Sequence, residues 1–403
     1  MNGVPLAIVS KASRDAARLA RIVKELAGEC DLDVASITTA DLFSGLDRTL
    51  RSHIAEGHVE GLDWFTAERA AFSVDPRNLM PSARSILSVG VSYWSTDPGK
   101  PDDGVPRGRI ARYARGLDYH AFLKKRMKAL HGRLEIEVGR SVEARLLTDT
   151  ARIVDRAVAA RAGLGWYGKH SCVIVPGHGS WVLLGEMLLD IELEPDAPLD
   201  RNCGRCSICI DRCPTGAIVA PYTIHAPRCL SFQTIEQRGP IPHELRPLLG
   251  DWVFGCDICQ DVCPYTKAAR PSFDPAILPR RIENAYPSLP WLLSVSEEEF
   301  REMYRGTPVT RAKRRGLAKN AAVALGNSGD RGNVSSLAVA LTEHDEPLVR
   351  GHAAWALGHL GGKDAVNALE RRSRREPDAD ATAEIKQALR AHENPSGGPL
   401  GNR

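Results

Sequence analysis

The sequence predicts an α+β chain in three parts: a mixed α/β domain, a compact cysteine-rich domain and an array of helical hairpins. Three observations predict it. Helix-like and strand-like segments alternate before residue 200. Eight of the ten cysteines fall between residues 203 and 263. Beyond about residue 306 the texture turns to alanine, leucine and charge, and one pattern recurs there 32 residues later. A chain of 403 residues, 43% apolar and 26% charged, can bury more than one sizeable core.

Residues 12–28, ASRDAARLARIVKELAG, show helical periodicity with the charges gathered on one face. DVASITT then reads as a strand, and ARSILSVGVSYW (83–94) as a long apolar strand. GRIARYARGLDYHAFLKKRMKALHGRLE passes from an arginine-rich turn into an amphipathic helix beginning near Tyr119. RIVDRAVAARAGLGWYGKHSCVIV reads as helix, glycine-rich loop and strand, and SWVLLGEMLLDIEL as a strand pair or one long strand. These segments make a domain over 1–199, followed by the cysteine-rich domain over 200–268. A proline-rich connector spans 269–305. KNAAVALGNSGD (319–330) and GHAAWALGHLGG (351–362) align without gaps, the mark of HEAT-type hairpins that bury one face on a neighbour. The repeats are expected over 306–392 as a small module packed on the body, with a disordered tail at 393–403.

The net charge of +3 announces no global basic field for nucleic acid. No apolar run reaches membrane-spanning length, and the first residues carry neither a secretory nor a twin-arginine signal. The expected compartment is the cytoplasm, where thiols stay reduced and ten cysteines point to metal.

CGRCSICIDRCP (203–214) is a C-x2-C-x2-C-x3-C-P run. In that ferredoxin spacing three thiolates hold one 4Fe–4S cubane and the fourth serves a second. CDICQDVCP (256–264) is its partner, with Val253 where a first cysteine would stand and Cys229 the spare nearby. The assignment closes at four and four. Cluster one takes Cys203, Cys206, Cys209 and Cys263; cluster two takes Cys213, Cys229, Cys256 and Cys259. Zinc sites favour separate C-x2-C pairs and admit histidine, which this pattern does not match. Cys30 and Cys172 are expected to be buried and inert.

The glycines of AGLGWYGKH (162–170) permit close approach of a ligand, or else a helix C-cap and tight turn. The loop is not a G-x-G-x-x-G fingerprint. Asp149, in LLTDTARIV, fits either a helix N-cap or a proton donor.

With GLDYH, TDTARIVDRAVAARAGLGWYGKHS, GEMLLDI, CGRCSICIDRCPTGAI, CLSFQTIEQRGPIP and GCDICQDVCPYT in this order, the chain resembles the epoxyqueuosine reductases from about residue 35 to 325. The resemblance implies two 4Fe–4S clusters and cobalamin. It implies a cobalamin domain similar to that of reductive dehalogenases, joined to a ferredoxin-like domain. It implies reduction of the epoxide of epoxyqueuosine in tRNA to queuosine, the last step of queuosine synthesis. Asp149 matches the family's proton donor; Gly165, Lys169, His170 and Ser171 match its corrin-contacting loop. Ser231 and Asp257, beside cluster-two ligands, are further corrin candidates. The chain departs from the family before DPRNLMPSARSILSV, where a basic residue is usual and Arg69 is the nearest replacement. An external electron donor such as a flavodoxin or ferredoxin is implied, and a monomer is expected. RAKRR (311–315), Arg280 and Arg281 are candidate phosphate contacts or a solvated face.

Two other functions fit part of the pattern. A reductive dehalogenase of small organohalides shares both cofactors, but the absent export signal and the HEAT segment count against it. An electron-transfer module with a docking repeat leaves Asp149 and the 162–170 loop without a role.

Overall fold

In the computed structural model residues 11–393 are described; the predicted tail lies outside them from residue 394 on. Helix α1 (Lys11–Glu29) leads into β1 (Val34–Thr39). Strand β2 (Ser85–Ser92) is buried at every position, its three serines included, which explains why apolar residues face both sides. Helix α2 (Tyr119–Val138) starts where the sequence places it, because the Asp118 side chain accepts from His120 N as an N-cap. It stops at Gly139, with φ 71°, a left-handed C-cap. Strand β3 (Ala144–Leu147) precedes α3 (Asp155–Arg161), and SWVLLGEMLLDIEL forms one strand, β4 (Val182–Leu189), not a pair.

The sheet order is β1-β2-β4-β3, and every pairing is antiparallel. On one face Leu87, Val89 and Val91 pack with Val23 of α1 and with Leu123 and Met127 of α2. On the other, Ile86 meets Leu147, Leu188 and Val158. A Cβ at Gly90, in the centre of β2, would meet Val182 Cγ1 at 2.4 Å, so only glycine fits there. The glycine-rich loop is itself a small hairpin, Trp166–Tyr167 against Val173–Ile174.

The cysteine-rich segment contributes two four-residue helices, Ile208–Asp211 and Ile258–Asp261. The connector returns to the first domain: Ile110 N donates to Ala285 O (3.0 Å) and Leu117 N to Ala276 O (2.7 Å).

The repeats form helices α4 (Lys313–Asn327), α5 (Val334–Glu343), α6 (Pro347–Leu360), α7 (Lys363–Ser373) and α8 (Ala379–Glu393). The matched glycines are its seams. A Cβ on Gly326 would lie 3.0 Å from Ala356 Cα, and one on Gly358 2.8 Å from Ala388 Cβ. Each glycine lets the first helix of one hairpin approach the first helix of the next closely, α4 to α6 and α6 to α8. Glu376 locks this array. Its carboxylate, fully covered, takes Arg350 and Arg372 at 2.7 Å each. Burial works against the charged form, but these two guanidiniums prevail and hold the carboxyl at about 2.

A carboxyl lowered in the folded chain stabilises it above its unfolded value near 4.3, and that contribution fades as the pH falls toward 2. Glu376→Ala is expected to destabilise the array by about 3 kcal/mol at neutral pH and to remove this acid dependence. Urea unfolding followed by helical circular dichroism from pH 7 to pH 3 measures both.

Candidate active site and cluster sites

All ten cysteines are free of disulfides. Burial pushes the Cys209 thiol up, and the charges of Cys263, Cys203 and Cys206 push it further. Cys263 is raised by burial and again by Cys203 and Cys206. In the other group burial raises Cys229, with Cys213 adding to it. Burial likewise raises Cys256, with Cys229 and Cys213 among its neighbours. Cys259 is raised by burial, then by Cys172, Cys256 and Cys229. The chain therefore gathers Cys203, Cys206, Cys209 and Cys263 in one place and Cys213, Cys229, Cys256 and Cys259 in another. The raised thiols Cys209, Cys229, Cys256, Cys259 and Cys263 resist ionisation until a cationic core compensates them. Among the described residues no three His, Cys, Asp or Glu side chains converge tightly enough for a single ion. A cubane is larger and suits thiols that stand further apart. Trp166, Ile174 and Leu199 wrap the first group. Cys256 of the second packs with Leu230, Ile241, Trp252 and Val323.

A cavity of about 390 Å³ opens beside the second group, lined by Trp64, Tyr93, Tyr113, Tyr119, Tyr167 and Cys172, with Asp149 and Arg69 at its wall. Asp149 is not a helix cap. Helix α3 begins beyond it, at Asp155, with Val154 as N-cap and no side-chain cap bond. Asp149 instead takes φ 28°, rare for a non-glycine residue. Its carboxylate faces α2, where Tyr119 Oη donates to Oδ2 at 2.7 Å. His120 Nε2 is 3.5 Å from the same oxygen, an ion-pair distance, and His120 Nδ1 is 2.8 Å from Asp118 Oδ1. Arg69 donates to the carbonyls of Thr150 (3.3 Å) and Ala151 (3.2 Å), which pins the loop that carries Asp149. Arg69, the nearest replacement for the usual basic residue, thus has a positioning task.

His120 holds the Asp149 carboxyl below its ordinary value, and Tyr119 adds to this against burial. Asp118, then Asp149, hold the His120 imidazole up at about 9. At neutral pH the pair is a carboxylate beside an imidazolium, with the mobile proton on the histidine.

None of the six predicted corrin contacts lines this cavity, although Ser171 adjoins its wall at Cys172 and Arg156. Gly165 has its Cα against the other hairpin strand, where a Cβ would meet Ile174 O at 2.5 Å. Lys169 Nζ donates to Gly204 O (2.8 Å), in the first cysteine run. His170 is buried, and its Nδ1 accepts from Cys172 N at 3.2 Å. Burial pushes the imidazole down to about 4, so Nε2 carries the proton, and that N–H has no partner. Ser171 is buried with an unpartnered Oγ. Ser231 is half-buried on the helix Leu230–Ile235. Asp257, 1% exposed, accepts from Arg112 N at 2.8 Å and lies 3.3 Å from Arg112 Nη1. Burial pushes its carboxyl up to about 6. Cys30 is buried as expected, but Cys172 is half-buried on the cavity wall, its thiol pushed up to about 11 by burial.

The basic run is largely neutralised. Arg311 meets Glu236 at 2.5 Å, Arg314 meets Asp345 at 2.5 Å and Arg315 lies 3.9 Å from Glu346. Arg280 and Arg281 line a groove of mixed charge with Glu297, Glu298 and Arg301. Sequence reasoning missed Tyr119, His120, Asp118 and Arg112 as working residues. The signal was present in GLDYH, where a cap aspartate, a phenol and an imidazole are consecutive.

Thiols in two groups of four, the second beside a cavity with its own proton-bearing pair, define an iron–sulfur oxidoreductase. The comparisons with known proteins narrow this class. Residues 202–266 match a 4Fe-4S double cluster binding domain, residues 74–150 the family described as epoxyqueuosine reductase QueG, DUF1730, and residues 310–390 HEAT repeats. The epoxyqueuosine reductase of Xanthomonas campestris pv. campestris is 38% identical over 343 residues, covering 84% of this chain and 95% of that protein. An epoxyqueuosine reductase solved with an epoxyqueuosine-modified tRNA-Tyr stem loop superposes with TM-score 0.87 at 32% identity, over 94% of this chain and 99% of that one. The Bacillus subtilis enzyme, solved with its aspartate-bearing catalytic loop swung out of the active site, superposes with TM-score 0.86 at 32% identity, over 93% and 98%. The chain belongs to the epoxyqueuosine reductase family, and it carries a binding domain for two 4Fe–4S clusters.

The His120 imidazole is expected to titrate near pH 9 in histidine proton NMR. Asp118→Asn is expected to bring that midpoint down toward the ordinary value near 6.5. An unchanged midpoint would refute the assignment of the shift to Asp118.

Proposed function

We propose that this chain reduces the epoxide of epoxyqueuosine in tRNA to the alkene of queuosine, the last step of queuosine synthesis. Family membership over most of the length supports this. So does the complex of a relative with an epoxyqueuosine-modified stem loop. The observation that carries it is Asp149, joined to Tyr119 and His120 on the wall of the cavity beside the second thiol group.

Converting an epoxide to an alkene takes two electrons and two protons and releases one water. In the proposed assignment cluster one is held by Cys203, Cys206, Cys209 and Cys263, and cluster two by Cys213, Cys229, Cys256 and Cys259. Cobalamin is the second cofactor; when bound, it supplies low-potential electrons to the substrate carbon. The residues present fit a large, polar-rimmed ligand: Ser180 Oγ, on the cavity wall, and the neighbouring Ser171 Oγ and His170 Nε2 are buried donors without partners. In this reading His170 and Ser171 would hold the corrin rim, with Gly165, Lys169, Ser231 and Asp257 supporting it from behind.

Asp149 delivers one proton to the departing oxygen, and a second, drawn from solvent through the part-exposed His120, completes the water. Because its carboxyl is held ionised at rest, the proton first moves to it from His120, which Asp118 keeps charged. Tyr119 fixes the orientation of the carboxylate. The aromatic walls receive an unstacked base, as suits recognition of single-stranded RNA. The electron donor is an external one-electron carrier of flavodoxin or ferredoxin type, and the chain works as a monomer in the cytoplasm. Among the described residues no helix is long and apolar enough to cross a membrane.

The test is turnover by the full chain, reconstituted anaerobically with iron, sulfide and cobalamin and supplied with epoxyqueuosine-tRNA. Mass spectrometry of the nucleosides should show queuosine, and none when cobalamin is omitted. Asp149→Ala should lower kcat by about 10²-fold or more, with little change in KM for tRNA. A cluster-replete, corrin-loaded chain that converts no tRNA would overturn the reading.

A further inference from the structure

The inner face of the helical array is occupied by the chain's own cysteine-rich lobe, and it is engaged with a regular period. Asn320, His352 and Glu384 stand at successive intervals of 32 residues on α4, α6 and α8. Each reaches the segment between residues 234 and 253. Asn320 Nδ2 donates to Thr234 O and Val253 O, both at 2.8 Å. His352 Nε2 accepts from Ile241 N at 3.1 Å. Glu384 takes the Arg246 guanidinium at 2.5 and 2.8 Å.

The first rung differs from the others in what it joins. Thr234 lies on the helix Leu230–Ile235, whose N-cap is Cys229. Val253 lies on the strand Trp252–Phe254, just before Cys256. The two acceptors therefore belong to the two separate arms that carry Cys229 and Cys256. Thr234 closes the same junction from within: its Oγ1 accepts from Gly255 N at 2.9 Å and donates to Leu230 O at 2.8 Å. Lys319 backs it, with Nζ donating to Gln237 O (2.8 Å) and Gly239 O (3.3 Å) from a position 1% exposed. Asn320 itself is wholly buried, and its Oδ1 has no partner. A buried amide with an orphaned oxygen is destabilising, and an apolar residue would fill the place more cheaply. What an apolar residue lacks is the pair of N–H donors that spans the two arms.

We propose that α4 is a strut of the second cluster site, and that Asn320 is a positioning residue that sets the separation of the Cys229 and Cys256 arms. The inference rests on the assignment of Cys213, Cys229, Cys256 and Cys259 to one cluster. On this view the array's first task is to hold an iron–sulfur site.

Asn320→Ala tests it, with Asn327→Ala as control. Asn327, on the same helix, also donates to two carbonyls, Arg246 O (2.8 Å) and Gly250 O (3.1 Å), in a loop that bears no cysteine. After anaerobic reconstitution the wild type and Asn327→Ala should each hold about eight irons per chain, as two 4Fe–4S clusters require. Asn320→Ala should hold about four, and electron paramagnetic resonance of the reduced protein should keep one cluster signal and lose or shift the other. Asn320→Ser, which keeps one donor, serves in the same measurement if the alanine variant does not fold. Full iron with unchanged spectra in both Asn320 variants, or equal losses in Asn320→Ala and Asn327→Ala, would overturn the inference. About four irons in the wild type itself would instead overturn the two-cluster assignment, and the wild-type arm reads that separately.

Discussion

The exchange of one cysteine between two runs constrains everything around it. Cys213 continues the run that begins at Cys203, yet it lies with Cys229 and Cys256. Cys263 ends the run that begins at Cys256, yet it lies with Cys203, Cys206 and Cys209. Neither run completes a group of four by itself. The helices Ile208–Asp211 and Ile258–Asp261 must therefore lie side by side, and the 42 residues between Cys213 and Cys256 must loop out and return. Four-residue helices have no stability of their own. Their geometry is imposed by whatever packs against them.

Three different parts of the chain supply that packing. The hairpin tip sends Lys169 to Gly204 in the first run. The arginine-rich turn before α2 sends Arg112 to Asp257 and, at 2.7 Å, to Asp261. Its guanidinium lies over the adjoining rings of Trp94 and Trp181, 4.9 and 5.0 Å from their centres. The array sends Asn320 to both arms of the second group. A buried charge pair of this kind adds little net stability, but it is unforgiving of misplacement, because a separated partner is left charged in a dry site. That intolerance suits a lobe whose thiols must be held in register. The same turn continues through Tyr113 on the cavity wall to Asp118, Tyr119 and His120, so the proton-bearing pair and the second thiol group are set by one stretch of backbone.

Much of this was legible in the order of residues. The strands β1 and β2, the start of α2 at Tyr119 and the seams of the repeat follow from periodicity, a cap aspartate and matched glycines. These signals are local, and each element satisfies its own hydrogen bonds or buries its own stripe. The glycine-rich loop was legible only in part: Gly163, at φ 73°, ends α3 as a helix cap, one of the two readings its sequence allowed. Gly165 is small because the opposite strand of its hairpin passes close by, a contact no single segment reveals. The antiparallel sheet escaped as well, since alternation of helices and strands does not fix the direction in which the strands pair.

The sequence by itself determined the inventory: eight thiols in an iron–sulfur spacing, a candidate proton donor at Asp149 and a repeat of 32 residues. Spacing along the chain is enough there, because a cysteine run is a local chelate and a helical repeat is a local packing code. The tertiary structure alone decided the partnerships. It gave Asp149 a phenol and an imidazolium from a helix some thirty residues earlier in the chain, gave Asp257 to Arg112, and turned the array inward onto the cysteine-rich lobe. Those pairings join residues up to about 150 positions apart, and they exist only because burial makes an unpaired charge or amide too unfavourable to leave alone.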